Sequence, residues 1–268
     1  MLRRLLIVLA LLIPLAACDK SSAPEEGAAP ATDTTASTPA PAETPADTAA
    51  PAEAAAPAAP APVPAPGSPE APRLGTDYEI LATPQPTIGQ GKIEVAEVFS
   101  YMCIHCAHFQ PSVNTWKQHM PADVRWEYVP AAFGGPWDEF ARAYYAAEIL
   151  GVQARTHDAA FKAIHVDRVI KTGSQDEIAD LYAKWGVDRT KFLDTMKSFG
   201  VTAKLNRGKQ FAQRTGVTAT PTIIINGKYR VNVTEDRGFA GMLSTVDFLL
   251  AQERAQAAAP AAAPAPTP

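Results

Sequence analysis

Cys103-Ile104-His105-Cys106 is the most informative stretch of this 268-residue chain. Apolar residues precede the two cysteines and a helix-compatible run follows them, so the pattern predicts a strand-to-helix junction at Cys103. A thiol at a helix N-terminus lies at the positive end of the helix dipole and near free backbone N–H groups, which favours its thiolate form. Because the thiolate is the species that attacks disulfides, the pair predicts thiol–disulfide exchange.

Three other uses of such a cysteine pair find less support. Zinc usually needs four ligands, and although His105 and His108 add nitrogen ligands, the only further cysteine is Cys18, inside a predicted export signal. A c-type haem requires a histidine directly after the second cysteine, where this chain has Ala107. A structural disulfide between near neighbours closes a small loop and stabilises little. We therefore predict no metal and no cofactor here.

The first 17 residues are typical of a bacterial signal peptide. Arg3 and Arg4 precede an apolar run that is shorter than the ~20 residues of a membrane span. The run ends in Leu15-Ala16-Ala17-Cys18, which resembles the lipobox of bacterial lipoproteins. We predict that Cys18 carries the lipid, the alternatives being a transmembrane anchor or an ordinary signal peptide. Asp19 favours retention at the inner membrane.

The composition then divides the chain into a linker, one folded domain and a tail. Residues 18–72 contain 13 of the 25 prolines, no aromatic residue, and eight acidic residues against one lysine, which predicts a disordered Pro/Ala-rich tether. Residues 257–268 have the same character and are predicted to form a disordered tail. Residues 73–256 contain all four tryptophans and 21 basic against 20 acidic residues, so nothing favours nucleic acid.

The hydrophobic pattern of the folded domain predicts strands on both sides of a helical block. Strands are expected at residues 92–101, 124–130, 222–225 and 228–233, the last two joined by a turn at Asn226-Gly227. Helices are expected from Cys103, from Pro136, after the capping residue Ser174, through Phe192, Met196 and Phe199, over residues 204–215, and at the C-terminus from Phe239.

This order resembles the DsbA family of bacterial thiol–disulfide oxidoreductases over roughly residues 75–254. The residues that carry the resemblance are Glu97, Phe99-Ser100, the Cys103–Cys106 motif, Gly216-Val217, Thr220-Pro221-Thr222 and Asn226-Gly227-Lys228-Tyr229. It implies an α/β thioredoxin-like fold with an inserted all-helical subdomain at about residues 136–200. Two positions depart from the best-known members, which have proline in place of Ile104 and valine in place of Thr220.

The resemblance implies roles for the residues around the cysteine pair. Cys103 is expected to be the nucleophile and Cys106 the more buried partner, with His105 supporting the Cys103 thiolate. Pro221 is expected to follow a cis peptide bond, with the backbone of Thr220 exposed beside Cys103. Glu97 lies in phase with apolar residues of its strand, so we expect a buried carboxyl group with a raised pKa that exchanges protons with Cys106. His108, His119, His157 and His165 are expected to be structural or surface residues.

The predicted function is that of a periplasmic, lipid-anchored oxidase that donates the Cys103–Cys106 disulfide to folding secreted proteins. Its expected partners are secreted proteins with free thiols and a DsbB-like quinone-linked membrane oxidoreductase, and it is expected to be a monomer. An isomerase or reductase of the same fold stays open because of Thr220. A third alternative, from another class, is a tethered metal-binding or chaperone module.

Overall fold

A computed structural model describes residues 62–258 of the chain. The predicted signal peptide, Cys18, most of the predicted tether and nearly all of the predicted tail lie outside these residues. The described part consists of five strands and seven α-helices, with one π-helical turn at Lys162–Val166. The elements in chain order are β1 Tyr78–Ile80, β2 Ile93–Phe99, α1 Ile104–Lys117, β3 Val124–Pro130, α2 Pro136–Ile149, α3 Gln153–Phe161, α4 Gln175–Lys184, α5 Arg189–Lys197, α6 Phe199–Arg214, β4 Thr222–Ile225, β5 Tyr229–Asn232 and α7 Gly238–Ala258.

The five strands form one mixed sheet in the order β1-β5-β4-β2-β3. β2 pairs in parallel with β3 and antiparallel with β4, whereas β5 is antiparallel to both of its neighbours. A parallel pair requires a crossover connection, and α1 provides it between β2 and β3. The order of strand, cysteine-bearing helix, strand, helical insert, hairpin and closing helix therefore confirms the predicted thioredoxin-like fold.

Both faces of the sheet are covered, which explains why β2 is buried along nearly its whole length. On one face Val95 and Ile223 pack against α1 and α7; on the other, Ala96 and Ile224 pack against α6. A third cluster joins the carboxyl end of β2 to the inserted helices and includes both cysteines. The cysteine pair thus lies where the sheet meets the insert.

Local sequence signals account for most element boundaries. Ser174 caps α4, its hydroxyl accepting a hydrogen bond from the Glu177 N–H at 3.3 Å. The hairpin between β4 and β5 turns at Asn226 and Gly227, which have φ values of 49° and 64°. A side chain at position 227 would also collide with the backbone carbonyl of Gln85, so glycine is required there.

Several features differ from the sequence-based expectations. The short strand β1, the helix α3 and the π-helical turn after it were not predicted. Phe199 was placed on the buried face of a helix with Phe192 and Met196, but that helix ends at Lys197, and Phe199 begins α6 with 86% of its surface exposed. Ala71 already packs against the core and Pro72 is buried, so the fold starts just before residue 73. Within residues 62–258, no helix is both long and apolar enough to cross a membrane.

Candidate active site

Cys103 is the N-cap residue of α1, and its environment suits a thiolate. Its backbone is extended, with φ −89° and ψ 113°, and its Sγ accepts a hydrogen bond from the Cys106 N–H at 3.4 Å. Cys103 retains 8% of its surface exposed, whereas Cys106, one turn into the helix, is fully buried. The expected order of exposure is confirmed, and both residues are free thiols in this structure.

The two thiols are perturbed in opposite directions. The hydrogen bond from the Cys106 side chain lowers the pKa of Cys103 to about 5, with smaller contributions from the Thr220 side chain and from the backbone N–H groups of Cys106 and His105. Burial is the main cause that raises the pKa of Cys106 far above its ordinary value, and the nearby Glu97 carboxylate adds to it. At neutral pH the reduced pair therefore holds one thiolate, on Cys103, and one proton, on Cys106.

The loop before β4 forms the second wall of the site. The Thr220–Pro221 peptide bond is cis, as expected, and Pro221 is buried. In its protonated form, the Cys103 thiol donates a hydrogen bond to the carbonyl oxygen of Thr220 at 3.3 Å. Thr220 itself is half-buried, so its backbone stands at the rim of the site, next to the more accessible of the two sulfur atoms.

Glu97 lies on β2 beneath the cysteine pair. It is 1% exposed, and its Oε2 has no hydrogen-bond partner among the described residues. Burial raises the pKa of Glu97 to about 8, an effect that the positive charge of Lys117 partly offsets. The expected burial of the carboxyl group is confirmed. With its raised pKa, Glu97 carries a proton in most molecules at neutral pH.

Lys117 is a residue that the sequence analysis missed. It ends α1, its ammonium group lies 4.8 Å from the centre of the Tyr128 ring, and burial lowers its pKa. Tyr128 is the parallel-strand partner of Glu97. The spacing of Lys117 on a helix gives no hint of this, because the proximity arises only when α1 packs across the sheet.

The side chain of His105 makes no hydrogen bond to either cysteine in the described part of the chain. The imidazole is exposed and makes no hydrogen bond among residues 62–258, and only its backbone N–H acts on the Cys103 thiolate. His108 and His119 are exposed, as expected for surface residues. No cluster of three or more histidine, cysteine, aspartate or glutamate side chains in the described part of the chain has the geometry to hold a metal ion.

A buried polar network adjoins the site on the side of the insert. His157 is 3% exposed, and its Nδ1 lies 2.9 Å from the Tyr101 hydroxyl oxygen. Its Nε2 lies 3.3 Å from Oε1 of Gln110, whose amide nitrogen donates to the Tyr128 hydroxyl at 3.0 Å. Burial lowers the pKa of His157 to about 3, so this imidazole is neutral. His157 is thus buried and hydrogen-bonded, which fits the structural alternative of the expectation.

Comparison with known proteins agrees with this geometry. The Thioredoxin_4 (Thioredoxin) family profile matches residues 83–247. The chain is 39% identical over 183 residues to the thiol:disulfide interchange protein DsbA of Pseudomonas aeruginosa. This alignment covers 68% of this chain and 86% of the relative. It is 37% identical over 187 residues to DsbA of Azotobacter vinelandii, covering 70% and 87% of the two chains.

Solved structures give the same relationship. The crystal structure of the oxidoreductase DsbA from Xylella fastidiosa is 40% identical, with a TM-score of 0.65 and coverage of 69% of this chain and 98% of the other. The crystal structure of Pseudomonas aeruginosa DsbA is 38% identical, with a TM-score of 0.65 and coverage of 69% and 96%.

Proposed function

Since this chain belongs to the DsbA family and is a thiol:disulfide oxidoreductase, we propose that Cys103 and Cys106 carry its reaction, with Cys103 as the attacked and departing sulfur. The observation that supports this assignment is the opposite perturbation of the two thiols at the N-terminus of α1. A low pKa makes Cys103 a good leaving group, and burial protects Cys106 from foreign thiols.

The first step transfers the disulfide to a substrate protein. A substrate thiolate attacks Sγ of Cys103, the bond between the two cysteine sulfurs breaks, and its electron pair goes to Cys106. A mixed disulfide now joins the substrate to Cys103. The buried Cys106 sulfur needs a proton, and Glu97 supplies it because its raised pKa keeps much of the carboxyl group protonated at neutral pH.

The second step releases the product. A second substrate thiolate attacks the substrate sulfur of the mixed disulfide, and Cys103 leaves as a thiolate. The substrate is oxidised by two electrons and the cysteine pair is reduced. The backbone of Thr220, at the rim of the site, is positioned to pair with the extended chain of the substrate, and Pro221 fixes the loop that presents it.

Oxidation of substrates is the direction that the site favours. Stabilising the Cys103 thiolate stabilises the reduced form relative to the disulfide, which makes the disulfide a stronger oxidant. An isomerase or reductase of the same fold is the second candidate, because Ile104 and Thr220 replace residues found in the best-known DsbA proteins and both adjoin the cysteine pair.

The equilibrium between the cysteine pair and glutathione separates these candidates. We expect a reduction potential well above that of thioredoxin, about −270 mV, and toward that of DsbA, about −120 mV. The purified protein should then oxidise a reduced model substrate faster than it reduces insulin. A potential near that of thioredoxin would reverse the proposed direction, and the absence of any reversible couple would reject the function of the pair. Cys103→Ser is the inactive reference.

We propose that the protein works in the periplasm as a monomer, held to the inner membrane by lipid on Cys18 and reoxidised by a DsbB-like quinone-linked membrane protein. The support for the anchor is Leu15-Ala16-Ala17-Cys18 followed by Asp19, and the support for the partner is the family. Membrane fractionation tests the anchor: Cys18→Ser should move the protein to the soluble fraction or leave an uncleaved precursor. An intact mass without lipid in the mature protein would contradict it.

A further inference from the structure

Two histidines from one short segment of the insert contact the same residue beside the cysteine pair. His157 of α3 meets the hydroxyl group of Tyr101, as described above. His165, in the π-helical turn that follows α3, has its Nε2 2.8 Å from the main-chain carbonyl oxygen of Tyr101. Tyr101 lies two residues before Cys103. The insert therefore contacts both the side chain and the backbone of a residue that directly precedes the nucleophile.

The π-helical turn is what directs His165 toward this carbonyl. Its wider winding is visible in the hydrogen bond from the Asp167 N–H to the Lys162 carbonyl at 2.9 Å, an i to i+5 connection. One extra residue in a turn rotates the following side chains around the helix axis, and such turns often occur at functional sites. The imidazole then stacks on Phe161, with ring centres 6.5 Å apart and planes 28° apart.

The contacted carbonyl belongs to the turn that leads into α1. The Cys103 N–H donates to the Ser100 carbonyl at 3.0 Å, and the Met102 N–H donates to the Ser100 hydroxyl at 3.1 Å. Among residues 62–258, His165 is the only hydrogen-bond partner of the Tyr101 carbonyl. Tyr101 is 1% exposed, and a buried carbonyl without a partner favours a change of backbone conformation.

We propose that His165 is a positioning residue for the redox reaction, one that holds the Ser100–Cys103 turn so that the first backbone N–H groups of α1 converge on the Cys103 sulfur. This inference rests on the proposed role of Cys103. The N–H groups of His105 and Cys106 stabilise the Cys103 thiolate, and their direction is set by the turn that precedes them. His165 thereby favours the reduced form and makes the disulfide more oxidising.

His165 is suited to substitution because it is half-buried at the surface of the insert, unlike His157 in the core. His165→Ala removes the donor. His165→Gln restores a side-chain N–H that can reach the carbonyl. His108→Ala is the matched control, because His108 is an exposed histidine on α1 that lines the same 280 Å³ cavity as His165 and has no hydrogen bond in the described part of the chain.

Three measurements on the full-length protein test this role. A pH titration measures the pKa of Cys103, equilibration with glutathione measures the redox equilibrium constant, and denaturant unfolding measures the stability of the reduced and the oxidised form. For His165→Ala we expect Cys103 to titrate at higher pH and the equilibrium constant to shift about tenfold toward a more reducing couple, which equals about 30 mV. His165→Gln should recover most of the shift, and His108→Ala should show none.

A purely structural His165 would lower the stability of the reduced and oxidised forms equally and leave both redox constants unchanged, which would overturn the proposal. Equal shifts in the Ala and Gln variants would also overturn it. If His165→Ala does not fold, His165→Phe keeps a ring against Phe161 without a donor and carries the same expectation. An unsubstituted protein without a reversible couple would reject the proposed function itself, whereas a normal couple insensitive to His165 rejects only this inference.

Discussion

Replacing Glu97 by glutamine is expected to stabilise the protein at neutral pH while slowing its reaction. Glu97 is buried, and its Oε2 has no hydrogen-bond partner among residues 62–258. Burial raises its pKa from 4.5 to about 8. The unfolded chain therefore ionises Glu97 at pH 7, and folding has to return a proton to it, which costs free energy. Glutamine has a similar shape and stays neutral in both states, so this cost disappears.

The size and pH dependence of the gain follow from the two pKa values. Each unit of difference between folded and unfolded states corresponds to about 1.4 kcal/mol. Below pH ~4.5 Glu97 is protonated in both states and the variant gains nothing. Between pH 4.5 and the folded pKa of about 8, the parent protein loses stability progressively, because Glu97 ionises in the unfolded chain but stays protonated in the folded one. The expected gain for Glu97→Gln is about 3 kcal/mol at pH 7 and levels off at about 5 kcal/mol above pH 8.

Denaturant unfolding of the reduced protein across this pH range measures the effect. The matched control is Glu94→Gln on the same strand, because Glu94 is equally buried but pairs with Arg125 and accepts the backbone N–H groups of Ile88 and Gly89. That variant should lose about 3 kcal/mol, since it breaks the buried ion pair with Arg125, which keeps among residues 62–258 only the longer ion pair with Glu127 at 3.3 Å. A Glu97→Gln protein no more stable than the parent at pH 7, or a gain equal at low and neutral pH, would refute the reasoning.

Three further outcomes are expected. Alkylation of Cys103 in the reduced protein should follow a titration near pH 5, because the thiolate is the reactive form; a midpoint near 8.5, the free value, would contradict the site electrostatics. Cys106→Ser should accumulate mixed disulfides with disulfide-containing proteins on non-reducing gels, because its Cys103 thiolate can attack a substrate disulfide while no Cys106 thiol is present to reverse that attack; equal accumulation by Cys103→Ser would contradict the assignment of the nucleophile. His157→Ala should lower the free energy of unfolding by about 3 kcal/mol. Because burial lowers the pKa of His157 to about 3, the contribution of His157 to the stability of the parent should fall as pH drops below ~6.5. A variant as stable as the parent at neutral pH would contradict the packing role.

Local pattern was sufficient for the sheet and most helices. The alternation before Cys103, the capping sequence at Ser174 and the Asn226-Gly227 turn each predict an element that the structure contains. The same reasoning failed at Phe199, because an apolar residue in phase with Phe192 and Met196 is indistinguishable in sequence from one that begins a new helix. It also missed β1, a three-residue strand with too short a pattern to be recognised, and the helix α3 with the π-helical turn after it.

The cysteine pair, its place at the start of a helix and the position of Glu97 on the apolar face of its strand were determined by the sequence alone, because each follows from neighbours within a few residues. Only the tertiary structure brought Thr220 within 3.3 Å of Cys103 across 117 positions of sequence, and brought Lys117 near Glu97. It alone directed His157 and His165 onto Tyr101. The first two contacts form when α1 and the loop before β4 pack on the sheet, and the last two form when the insert packs against it. The energies that select them come from shared burial rather than from any local pattern.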